Sequence, residues 1–175
     1  MSGRFRHLPI CLVFTLAVSA LIPALARAQA PAQAPPAPPP SAPIPGPTLQ
    51  EAQKAIGAAQ AVAVKLGVLL SCAVVDSRGD LVALSRMDGA RFLTTDVARG
   101  KALLSATFGQ PSGNFVQMGN SPFFQNLNTA AQGRLYPVQG AVPIMRNNQV
   151  LGAIGCSGAA SQQDEEAAKA GLAVF

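Results

Sequence analysis

The segment 140–166, GAVPIMRNNQVLGAIGCSGAASQQDEE, carries the decisive pattern. Two short apolar runs, Ala141 to Met145 and Val150 to Ile154, flank Arg146-Asn147-Asn148-Gln149. Asparagine tolerates the positive φ that a tight hairpin demands, so the chain is expected to double back here. Ser161 then stands three residues before Asp164, ahead of Glu165, Glu166 and an alanine-rich run. That order predicts a capping box with Ser161 as N-cap and acids at the positive end of a terminal helix.

The same reading extends towards the N-terminus. Thr48 and Glu51 form a second capping box, and Leu49, Ala52, Ile56, Ala59, Ala63 and Leu66 recur at helical spacing until Gly67, predicting a helix over 49–66. Val68 to Val75 is a continuous apolar run, Asp76-Ser77-Arg78-Gly79-Asp80 supplies turn chemistry, and Leu81 to Arg86 completes a second hairpin. Thr94 or Thr95 is a candidate cap for a helix through Val97, Leu103, Leu104 and Phe108, stopped by Gly109 and Pro111. Residues 111–137 are rich in Gly, Asn, Gln and Phe and read as an irregular excursion with at most a short helix near Asn114 to Met118. The expected fold class is α+β, an antiparallel sheet of about five strands with helices packed on it.

Composition divides the chain into three parts. A basic start with Arg4, Arg6 and His7, an apolar stretch from Ile10 to Leu25 and small residues at 26–28 match a cleaved secretory signal, with Gln29 as the new N-terminus. The apolar stretch, interrupted by Pro23, is short against the roughly 20 residues of a spanning helix. From Gln29 to Pro47, nine of nineteen residues are proline and none is charged, the composition of an extended spacer that builds no core. Residues 48–175 are left as one domain. The expected location is periplasmic or secreted, with no membrane insertion after cleavage.

Removing residues 1–28 takes three arginines and leaves ten Lys and Arg against eight Asp and Glu. A net charge near +2 with no basic run lacks the footprint of phosphate-backbone binding, so nucleic acid is not an expected partner. Cys72 and Cys156 remain, each in an apolar strand-like run. Spacing leaves open whether they pair or stay as buried thiols.

Several separate segments agree in order and spacing with one family. RMDGA at 86–90 after VVDSRGDLVAL, the KALLSATF helix, and VPI, VLGAIGCSG and QQDEEAAKAGL near the end resemble the GlcG/HbpS family over nearly all of residues 48–175. The resemblance implies an α/β sandwich fold shared with the C-terminal domain of PduO-type cobalamin adenosyltransferases, symmetric homo-oligomers, and haem or a related tetrapyrrole as small-molecule ligand. Two departures stand out: Ala141 at the second glycine of the expected GGVPI, and Cys156 in the usual GVSG-like stretch.

Haem meets a restriction here. The single histidine, His7, lies in the expected leader, so the trimmed chain has no imidazole for the iron. Met, Tyr or Cys thiolate also ligate haem, which makes Met87 at the strand exit and Tyr136 before Pro137 the candidate iron ligands, with Met118, Met145, Cys72 and Cys156 behind them. Arg86, Arg99 and Lys101, with Arg91, are the candidate cations for the propionates. Gly152, Gly155 and Gly158 do not have dinucleotide spacing and are read as sites of close packing. Ser157 has no histidine to serve it, and no His or Cys pair stands at metal spacing. The reading is an exported binding domain without an enzyme constellation. Its rivals are a haem-degrading or redox enzyme and a structural oligomer that has lost its ligand.

Overall fold

The computed structural model describes residues 46–175; the expected signal peptide and all but the last two residues of the expected spacer lie outside them. The spacer's end is not free of the domain, because Pro47 is already buried. Helix α1 (Leu49–Leu66) starts as its sequence requires. The Thr48 N–H donates to Glu51 Oε2 at 2.8 Å, and the Glu51 N–H donates to Thr48 Oγ1 at 3.2 Å. The bond from the Thr48 backbone, followed by that from its hydroxyl, holds the Glu51 carboxyl below the usual glutamate range. Gly67 ends the helix in the left-handed region, and Val68 donates back to Ala63 at 3.0 Å. That closure delays the first strand: β1 runs Ser71–Asp76 rather than from Val68.

Strand β1 is buried along its whole length and pairs antiparallel with β2 (Leu81–Arg86) on one side. Helix α2 (Thr94–Phe108) follows. Its threonines do not cap it; Leu93 is the N-cap, and the Thr94 and Thr95 hydroxyls donate to the carbonyls of Arg91 and Phe92. A 3₁₀ turn at Ser112–Phe115 leads to α3 (Pro122–Ala130), which contradicts the irregular excursion expected there. The local cause is a capped start, in which the Ser121 hydroxyl accepts from the Phe124 N–H and Pro122 occupies the first helical turn. Strands β3 (Ala141–Arg146) and β4 (Gln149–Ser157) form the expected hairpin, with Asn147 at φ 50° and Asn148 at φ 61°.

The α+β class holds, with four strands among the described residues in the order β2-β1-β4-β3 against the about five expected. Between α3 and β3 no further strand forms, and there Val138 donates back to Tyr136 and Gly140 sits at φ 139°. Helix α4 (Ser161–Leu172) closes the domain. Its N-cap is Ala160, whose N–H donates to Gln163 Oε1 at 3.2 Å, so the expected Ser161–Asp164 box does not form.

Period two in the strands sorts the core into two layers. Cys72, Val74, Ile154 and Cys156 point to the face covered by α1 and α4, against Ala55, Ala59, Ala167 and Ala168. Val75 and Ala153 point to the other face, against Ala102 and Ala106 of α2. Alanines on the helices let them approach closely. At Gly155 a side chain would meet the α2 backbone, 2.8 Å from Ala102 N, so close packing explains this glycine as expected.

The register of β1 on β4 sets Cys72 opposite Cys156, and they form a disulfide with Cα atoms 4.1 Å apart. The Cys156 N–H donates to Gly140 on the far side, which makes Cys72 and Cys156 a non-hydrogen-bonded pair, the close-approaching kind.

Candidate functional site

The candidate residues separate into three places. Arg86 ends β2 opposite Ser71, is exposed, and does not line the recess on α2 described below. Met87 follows it but turns inward onto the α1 side of the core. Its N–H donates to Leu70 O at 3.0 Å, and its Sδ accepts from the Leu70 N–H at 3.4 Å. The thioether therefore serves as a strand-end clasp. Met118 and Met145 are exposed, and both cysteine sulfurs are consumed by the disulfide, which removes them as thiolate ligands.

Lys101 is not a surface cation. It is 2% exposed, and its Nζ donates to Asp164 Oδ2 at 2.8 Å and to the Cys156 carbonyl at 3.2 Å. Asp164 Oδ1 accepts from the Ala159 N–H at 3.0 Å, so the pair is supported by further hydrogen bonds and ties α2 to the start of α4. Gly140 makes room for this pair, because a Cβ there would lie 2.6 Å from Nζ and 2.9 Å from Asp164 Cβ.

Arg99 and Tyr136, by contrast, meet at one recess of about 270 Å³, together with Asp96, Gly100, Leu103, Gly133 and Arg134. One wall is a stripe of α2 at helical spacing, Asp96, Arg99, Gly100 and Leu103. The other is the segment 133–136, placed by a turn that its own residues build. Gln132 and Gly133 take left-handed backbone, Gly133 donates to Asn128 O, and Leu135 donates to Asn128 Oδ1. Leu135 is buried beside Leu104, Phe115 and Phe124, which leaves its neighbours Arg134 and Tyr136 to line the recess. Arg134 Nε donates to Ala131 O at 3.0 Å, limiting where its guanidinium can lie.

Gly100 decides how closely the two walls meet. A side chain there would stand 2.7 Å from Arg134 O and collide with the Tyr136 ring. An isolated glycine inside a helical pattern is the signal that could have located the site from sequence. Arg134 carried no such signal, since its position depends on α3 and on the Asn128 turn.

Electrostatically the recess is left open. Asp96, Arg99 and Arg134 have no ion pair among the described residues, where the bridges go to Arg78, Lys101, Arg146 and Lys169. Arg99, Arg134, Asp96 and Tyr136 thus line one half-open hollow with Leu103, the three charged residues being exposed to solvent. Paired guanidiniums suit carboxylate recognition by geometry as well as charge. A groove of about 420 Å³ between α1 and β2 is larger, but no charged residue lines it to orient an anion.

Comparison with known proteins agrees with the fold. The family model described as "Haem degrading protein HbpS-like" matches residues 48–173. Protein GlcG of Escherichia coli is 35% identical over 110 residues, covering 62% of this chain and 78% of GlcG. A double mutant of HbpS from Streptomyces reticuli superposes with a TM-score of 0.67 at 30% identity, covering 83% of this chain and 99% of HbpS. PduOC, solved as its complex with heme, shares the fold at a TM-score of 0.67 and 21% identity, over 74% of this chain and 95% of PduOC. With the α+β fold shared by these structures and the family model matched over residues 48–173, the chain belongs to the HbpS-like family.

Proposed function

We propose that this protein is an exported binding domain that holds haem or a related tetrapyrrole by its carboxylates at the Arg99–Arg134–Tyr136 recess. The single observation that carries this is the convergence of two unpaired guanidiniums and the one tyrosine on one hollow in a domain of this family. The fit is to an edge of the ligand. At about 270 Å³ the recess falls just below the roughly 300–1,000 Å³ of pockets that enclose drug-sized molecules. Arg99 and Arg134 would hold the propionates and Tyr136 would offer its phenolic oxygen to the iron, with the rest of the macrocycle extending beyond the recess. The assembly that goes with this reading is a homo-oligomer, isologous association being the usual route. When bound, haem would supply the metal centre; the chain supplies cations, a phenol and an apolar floor.

Titrating haem into the purified mature chain, residues 29–175 without His7, tests the reading. A saturable Soret change is expected, weakened in Arg99→Ala and altered in position in Tyr136→Phe. No saturable change at stoichiometric haem would refute it and favour a structural oligomer. The description of the family model favours a second reading, haem degradation. Steady conversion of bound haem with reductant or peroxide to a bile-pigment-like product would establish that instead.

The proposal of export rests on the leader-like residues 1–28 and gains support from the buried disulfide, since such bonds persist in oxidising compartments. Mass spectrometry of the periplasmic product should give a chain starting at Gln29. A product retaining residues 1–28 would refute cleavage.

A further inference from the structure

We propose that the same recess is a site for a small amino-dicarboxylate in its own right. This rests on the recess being a ligand site but not on haem being the ligand. Size comes first. At about 30 Å³ per water, 270 Å³ corresponds to roughly nine waters, the space of a molecule of about ten non-hydrogen atoms. A ligand of that size fills the half-open recess, whereas a macrocycle enters by one edge.

Charge narrows the class. The lining carries Arg99 and Arg134 against Asp96, and none of the three is neutralised by another residue of the described domain. The complement of two guanidiniums and one carboxylate is a ligand with two carboxylates and one ammonium. Each carboxylate takes the fork of a guanidinium, and the ammonium donates to Asp96. Leu103 and the Tyr136 ring supply apolar surface for a short methylene chain between the charged ends. A plain dicarboxylate would leave Asp96 facing it unpaired, and a neutral amino acid would leave one guanidinium unused.

The test is calorimetric titration of the mature chain with L-glutamate and with glutarate, which has the same two carboxylates and no ammonium. Saturable binding of L-glutamate at ~1 mM or tighter is expected, about tenfold tighter than glutarate. Asp96→Asn should abolish that preference while leaving glutarate binding in place. Arg99→Ala and Arg134→Ala should weaken both ligands. Absence of saturable L-glutamate binding, or equal affinities for the two probes in the unaltered chain, overturns the proposal.

A haem titration on the same preparation separates this inference from the one above. A Soret response with no L-glutamate binding sinks only the amino-dicarboxylate site. L-glutamate binding with no Soret response supports it and sinks the haem reading. Loss of both ligands in Arg99→Ala supports a shared recess.

Discussion

Replacing Lys101 with methionine keeps most of the stem and deletes the charge that faces Asp164. In the intact protein the two side chains are 2% and 3% exposed and 2.8 Å apart. After the change the Asp164 carboxylate would stay buried with one donor, the Ala159 N–H. Removing one partner of a buried pair costs about 3–5 kcal/mol, because the other charge is left uncompensated. A domain of this size has a total stability of roughly 5–15 kcal/mol, so the loss is about a fifth of it or more. At about 3–5 °C per kcal/mol for this length, the midpoint of thermal unfolding should drop by roughly 10–20 °C.

Urea unfolding followed by circular dichroism at pH 7 measures this. The double change Lys101→Met with Asp164→Leu should recover most of the loss, since both charges leave together. Ligand affinity of the folded fraction should be unchanged, because Lys101 does not line the recess. A cost below ~1 kcal/mol, or a double variant no more stable than the single one, would refute the buried-pair account. Weakened ligand binding in folded Lys101→Met would restore Lys101 as a ligand cation.

Four further outcomes are expected. The Cys72–Cys156 bond closes a sequence separation of 84, worth roughly 4–5 kcal/mol in the chain-entropy account, so Cys72→Ala with Cys156→Ala should lower the urea midpoint accordingly; an unchanged midpoint would show that the bond does not constrain the unfolded chain. Gly100→Ala should cost ~1–3 kcal/mol by overpacking and abolish binding at the recess as residues 134–136 lift off α2. Gly57→Ala, with open space around it, should instead stabilise by about 0.5–1 kcal/mol; denaturation and ligand titration of the two variants check the contrast. The folded-state value of Glu51 is lowered by Thr48, so its contribution is present above the ordinary glutamate range and is lost as pH falls below it. The amides at the start of α1 should therefore exchange faster on acidification, after correction for intrinsic rates, and this pH response should disappear in Glu51→Gln.

Local patterns were legible from the residues alone. Helical spacing between Thr48 and Gly67 marked α1, and Asn147-Asn148 between apolar runs marked the last hairpin, because both depend on contacts within a few positions. The α+β class followed from the order of such segments. What failed was the assignment of side chains whose partners lie far along the chain. Lys101 read as a surface cation because its acid, Asp164, is 63 positions away and meets it only after α2 and α4 pack on opposite faces of one sheet end. Arg134 was passed over because Asn128 and the buried Leu135 aim it at α2. The cysteines became a bond only through the register of β1 on β4. Short-range propensity determined which elements form; burial, charge pairing and the recess were decided by tertiary packing, where distant residues share one low-dielectric space.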